Sequence, residues 1–260
     1  EAQLHEAKLK EANLQGANLS GATLTGANLH NAIMNHAILR NAKLHGVFLR
    51  CGDLSDAILT EAKLDRIQLR GAKLCNANLA KARLRNADLS FADLSYANLN
   101  EVELEGANLY RAVLIKAQIS NAHLSRCNLI SANFHEADLS NSDLNHSDLS
   151  RAILTKTDLS AAKLIGAKLI ATVLAESNLR NANLSRTNLS DAYLVKAELR
   201  DCELRRSNLS NANLSKTMMC GADLAGSNLL NADLSNSSLD ETDLNRAYLV
   251  NTNFSNASLI

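Results

Sequence analysis

Residues 1–30 read EAQLH EAKLK EANLQ GANLS GATLT GANLH, and residues 251–260 read NTNFS NASLI. The five-residue register never slips between them, so the 260 residues divide into 52 blocks. The fourth residue is Leu in 47 blocks, and its exceptions, Met34, Ile119, Phe134, Met219 and Phe254, are all apolar. The second residue is Ala in 34 blocks. It is otherwise small or β-branched: Val47, Gly52, Ile67, Val102, Cys127, Cys202 and twelve Ser or Thr, all twelve in the second half. The third residue favours Asn and Asp, and the first and fifth are polar and mixed.

This spacing decides the fold class. Second and fourth residues lie two apart, so in extended chain they point the same way. From Leu to the next Ala is three residues, which breaks the alternation. A straight strand would put alternate blocks on opposite faces. A helix would carry Leu about 140° around its axis per block and leave no apolar stripe. One solution keeps every Leu inside: the chain turns a corner in each block and coils around its own leucines. First positions agree, since nine of the ten Gly and twelve Asn stand there, residues tolerant of unusual φ. Coils then stack about 4.8 Å apart through backbone hydrogen bonds. The column of Leu and Ala should be dry and narrow, with no room for a large residue at an Ala site.

The tandem A-[DN]-L-x-x pattern resembles the pentapeptide-repeat family along the whole chain. The resemblance implies an all-β fold, a right-handed quadrilateral β-helix with four blocks per coil and so about 13 coils over the 260 residues. The expected unit is one domain over 1–260, an uninterrupted rod. Unpaired backbone at its open ends points to a longer parent protein or to end-to-end self-association.

Composition narrows the function. Lys+Arg 27 and Asp+Glu 27 cancel, so the chain has no bulk attraction for nucleic acid or an acidic membrane. No apolar run is long enough for a membrane span. The five cysteines, Cys51, Cys75, Cys127, Cys202 and Cys220, never fall 20 residues apart, so no vertical pair forms a disulfide. Unpaired thiols fit a reducing, cytoplasmic compartment. The seven histidines form no metal-ligand spacing with them, and no cofactor motif or catalytic constellation is present.

Four blocks per coil give four walls, the first starting at residue 1, the second at 6, the third at 11 and the fourth at 16. The second wall carries ten basic and three acidic residues. Its candidate basic strip is Arg50, Arg66, Arg70, Arg126, Arg186, Arg206 and Arg246. The third wall is poor in charge and carries a candidate interface of Val113, Ile115, Ile153, Val173, Tyr193 and Val195. Buried Thr187, Ser207 and Ser227 are expected to bond one another or backbone carbonyls. The sequence therefore reads as a non-enzymatic protein-interaction scaffold or rigid spacer, without cofactors. The alternative that the resemblance offers, a DNA mimic acting on a type II topoisomerase such as gyrase, requires a dense negative surface.

Overall fold

The structure is a computed structural model and describes residues 2–260. It divides into two compact units, Glu1–Asn133 and Phe134–Ile260. The two units use the same local geometry.

Within each unit the bridging residue is the third of its block, which pairs in parallel with the residue 20 positions on. In unit 1 the pairs run Gln3 to Thr23, Thr23 to Lys43 and Lys43 to Lys63. In unit 2 they run Ile153 to Val173, Val173 to Tyr193 and Tyr193 to Asn213. Within each unit every fourth block therefore lies beside its predecessor, as the resemblance implies. The expected walls are β-like, but each is a single bridge and not a continuous strand. A corner every five residues leaves too little extended chain for more.

Backbone bonding follows one template. Leu4 N donates to Thr23 O at 2.7 Å, Thr23 N donates to Ala2 O at 2.9 Å, and Glu6 N donates to Thr25 O at 3.0 Å. Ala7 N closes the corner by donating to Leu4 O at 3.1 Å. That turn has its positive φ at the third of its four residues, the type II signature. Every first position from Glu6 to Asn256 has φ between +53° and +70°. Phe91, Tyr96, Ala161 and Ala171 adopt this conformation as well as Gly and Asn.

One donor per block is left over, the amide of the fifth residue. The third residue supplies its acceptor. Gln15 N donates to Asn13 Oδ1 at 3.1 Å, Ser55 N to Asp53 Oδ1 at 3.0 Å and Ser160 N to Asp158 Oδ1 at 2.8 Å. The preference for Asn and Asp is thus a backbone requirement, because a carboxylate or amide oxygen two residues upstream mimics a turn carbonyl.

Leucines and alanines fill the interior of both units. Between Leu44 and Leu79 the column leaves no space for a water molecule. One expectation is corrected here: Ile67 occupies an Ala site and is fully buried. It stacks on Val47, whose carbonyl accepts the Gln68 amide. Leu49, in the same coil as Val47, leans into the space left by Gly52, where a Cβ would lie 2.7 Å from Leu49 Cδ1. The space that a methyl at residue 52 would take is thus filled by Leu49.

The buried hydroxyls bond carbonyls of fourth-position residues. Thr187 and Ser207 donate to Leu184 O and Leu204 O at 2.7 Å, within their own turns. Among the described residues no hydrogen bond joins them to one another, and Ser227 Oγ has no protein partner. Thr217 and Ser237 do pair, at 3.1 Å.

Candidate interaction surface

The third-wall residues singled out from sequence fall in both units. In unit 1, Val113 bridges Asp93 and Asn133, and both Val113 and Ile115 are half-buried. Their surroundings matter more than they do. Phe91 and Tyr96 open consecutive blocks and stand at the corners on either side of residues 92–95, exposed by 40% and 57%. Phe91 N donates to Tyr110 O and Tyr96 N to Ile115 O, both at 2.9 Å, which fixes each aromatic beside its neighbour one coil on.

Phe91 and Tyr110 meet edge to face, centroids 5.5 Å apart at 82°. The Arg70 guanidinium lies 4.6 Å from the Phe91 ring centre. Arg111 stands 5.3 Å from the Tyr110 ring and Lys116 Nζ 5.9 Å from the Tyr96 ring. Each cation adds modest attraction at an exposed site and, more importantly, holds a ring upright in solvent. Large, preordered Tyr, Phe and Arg side chains are the residues that dominate binding energy at protein interfaces. Between the two aromatic corners lie Asp93 and Ser95, and Val113 and Ile115 lie one coil on.

In unit 2, Ile153, Val173 and Tyr193 form a vertical ladder by direct bridging, and Val195 lies half-buried on the same wall. Ile153 and Tyr193 are exposed by 41% and 45%. Two coils separate them, about 10 Å. No cation stacks on Tyr193 among the described residues.

The residues of the basic strip divide between two positions of their blocks. Arg50 and Arg70 are fifth-position residues at the corner between the second and third walls. Arg50 donates to Gln68 Oε1 at 2.8 Å, and Arg70 is committed to Phe91. Arg66, Arg126, Arg186, Arg206 and Arg246 are first-position residues at the opposite edge of that wall. Wall-by-wall charge counting joined two separate corners.

The five cysteines carry free thiols. Burial pushes Cys127 and Cys202 up to about 12, and their thiols donate to Leu104 O at 3.0 Å and Leu179 O at 2.7 Å. Burial, then the Asp93 carboxylate, pushes Cys75 up to about 11. These are not nucleophiles. One open depression in unit 1, about 680 Å³, is lined by Lys81, Glu101, Glu103, Asn121 and His123. Lys81 and Glu101 already pair there. Among the described residues no cluster of His, Cys, Asp or Glu could hold a metal ion, and no helix is long and apolar enough to cross a membrane.

Comparison with known proteins agrees with this geometry. The family model of pentapeptide repeats matches in overlapping segments, from residues 2–41 and 37–74 through 202–240 and 227–260. HetL, a pentapeptide repeat protein involved in heterocyst differentiation regulation from the cyanobacterium Nostoc sp. strain PCC 7120, is 32% identical, with a TM-score of 0.57. That match covers 80% of this chain and 89% of HetL. QnrB1, a plasmid-mediated fluoroquinolone resistance protein, is 21% identical over 76% of this chain and 86% of its own, with a TM-score of 0.44. A pentapeptide repeat protein of the Arabidopsis thaliana thylakoid lumen is 27% identical over 45% of this chain and 70% of its own, with a TM-score of 0.24. No curated protein sequence matches the chain.

Proposed function

Because the chain belongs to the pentapeptide-repeat family, whose fold devotes its interior to Leu and Ala, we propose that it acts through its outer walls as a non-enzymatic protein-interaction scaffold. The observation that carries this reading is the aromatic–cation group of unit 1: Phe91, Tyr96 and Tyr110, each ring faced by a cation. Phe91 and Tyr96 hold left-handed backbone at φ +59° and +60°, a conformation that costs bulky L-residues about 1–2 kcal/mol each. The fold imposes that backbone on every first position, so what sets these two apart is the large apolar ring that each leaves exposed to solvent. The Ile153–Val173–Tyr193 ladder is a second apolar contact surface in unit 2. Free thiols support a cytoplasmic setting.

A DNA-mimicking role would require closely spaced carboxylates. The corner of unit 2 that carries Arg186, Arg206 and Arg246 has the opposite sign, and the chain as a whole is neutral.

The test is affinity capture after cross-linking, with the wild type and two double variants, Phe91→Ser with Tyr96→Ser and Ile153→Asp with Tyr193→Asp. Circular dichroism checks that each variant is folded. Loss of a specific partner from one variant locates the docking wall. Unchanged partner recovery by both folded variants would discard the scaffold surface.

A further inference from the structure

One corner of unit 2 is built from stacked residue pairs: Asn145–His146, Ile165–Gly166, Ser185–Arg186, Arg205–Arg206, Ala225–Gly226 and Asn245–Arg246. Backbone bonds fix the order, since Arg186 N donates to Arg205 O at 2.8 Å, Arg206 N to Ala225 O at 3.0 Å and Gly226 N to Asn245 O at 2.8 Å. The corner holds four arginines and a histidine, and not one of its own positions carries a carboxylate.

The arginines are unequal. Arg205 is matched by Asp223 on the first wall. Arg186, Arg206 and Arg246 are exposed and make no ion pair or side-chain hydrogen bond among the described residues. Arg186 and Arg206 sit on neighbouring coils, about 5 Å apart at their backbones, so their charges repel. On the next coil the pattern drops to Ala225–Gly226. This missing rung opens a notch of about 540 Å³ between Arg206 and Arg246, with Arg205 at its side. A second hollow of about 450 Å³ shares Arg205 and Arg206 and adds Arg186. Gly226 lines the notch, and a Cβ there would meet Arg206 Cγ at 3.6 Å, an ordinary contact.

We infer that this corner is a binding site for a phosphate group. A guanidinium presents parallel N–H donors that match a phosphate's oxygens two at a time, and a dianion between Arg206 and Arg246 converts their repulsion into attraction. Asp243 brings one negative charge to the notch, and its Oδ1 accepts the Asn245 amide at 2.9 Å. Arg206 and Arg246, both unmatched, leave the balance positive. The notch is open to water, so affinity is modest and falls with salt. The corner is remote in sequence from the aromatic group of unit 1, and the inference stands without it.

Isothermal titration at fixed ionic strength tests it, with pyrophosphate in one arm and a phosphoserine peptide, against its unphosphorylated form, in the other. Either phosphate-bearing arm should bind the wild type where chloride and the unphosphorylated peptide do not. Arg206→Gln with Arg246→Gln should weaken binding about tenfold or more. Gly226→Glu, which supplies its own carboxylate, should do the same, while Gly226→Gln and the unit 1 control Arg66→Gln should stay within about twofold. Equal titration of the wild type and these folded variants, or no phosphate binding in either arm, would overturn the assignment. The two arms distinguish a free phosphate from a phosphorylated segment.

Discussion

Replacing Ala171 by Gly should stabilise unit 2, the reverse of what that exchange does in ordinary strands and helices. Ala171 opens its block at φ +53° and Ala161 at φ +55°. Left-handed backbone costs an L-residue about 1–2 kcal/mol, because its Cβ crowds the following carbonyl. Glycine escapes that cost and gives up about 0.5–1 kcal/mol in extra backbone entropy. Both alanines are exposed, so deleting the methyl sacrifices little burial. The net gain is about 0.5–1 kcal/mol per corner, and the two corners are separate enough to add to about 1–2 kcal/mol. Urea unfolding followed by circular dichroism should show a higher midpoint at an unchanged slope. The converse exchange isolates the same term. At Gly46, φ is +64° and an added Cβ meets nothing within 4 Å, so Gly46→Ala should lose about 1 kcal/mol from backbone strain alone. At Gly106 the Cβ would also stand 2.7 Å from Asn86 Oδ1, and the loss should be larger. If Ala171→Gly lowers the midpoint by the usual glycine penalty, the corners store no strain and this account of them fails.

Four further outcomes follow from the same geometry. Asn213 Oδ1 accepts both the amide and the hydroxyl of Ser215, at 3.0 and 2.7 Å; Asn213→Ala should cost about 1 kcal/mol and speed hydrogen exchange at the Ser215 amide. Burial alone would raise the Asp53 and Asp93 carboxyls, but hydrogen bonds from the Ser55 and Ser95 amides and hydroxyls outweigh it and hold both below the ordinary value. Their stabilisation is therefore complete above the ordinary carboxyl pKa of about 3.9 and is lost as pH falls through the lower folded value. Asp53→Asn with Asp93→Asn should flatten the acid limb of the melting profile below about pH 4, and an unchanged limb would refute the assignment. Alkylation at pH 8 followed by peptide mass spectrometry should mark exposed Cys51 first, Cys75 slowly, and Cys127 and Cys202 only on unfolding. Gly52→Ala should destabilise unit 1 by about 1–3 kcal/mol through crowding at Leu49, and much less when combined with Ile67→Ala, which a double-mutant cycle measures.

Much of the fold was legible because its signals are periodic. Leu at every fifth residue demanded a corner per block, and Gly and Asn at the first positions located it, as the φ values from Glu6 to Asn256 bear out. The twenty-residue register came from the family resemblance, since a corner alone does not fix the number of walls. The role of the third residue was not legible. The spacing gave no reason for Asn and Asp there, and only the full set of backbone bonds reveals an orphan fifth-position amide that their side chains satisfy. The space that Leu49 fills beside Gly52 was equally hidden, because Gly52 reads in sequence as one more small residue.

The candidate surface was half legible, for a reason that applies to any square solenoid. Counting by walls finds residues that stack vertically, and so it found Ile153, Val173 and Tyr193, which the bridges join directly. It misses whatever assembles around a corner, because the fifth residue of one wall and the first of the next are separated by the bookkeeping and adjacent in space. Arg70, Phe91, Tyr110 and Arg111 meet at one such corner, and Tyr96 stands at the next. The sequence did hold a signal: aromatic residues are 3% of the chain, yet three fall between 91 and 110. The same counting put Arg70, the fifth residue of its block, in one strip with Arg186, the first of its own. Corners are the sharpest and least crowded parts of this fold, with side chains at the first position exposed and no interior role to constrain them. A partner that recognises one member of such a regular family has the most to read there. The aromatic corner of unit 1 and the arginine corner of unit 2 each set a group of like side chains at such positions.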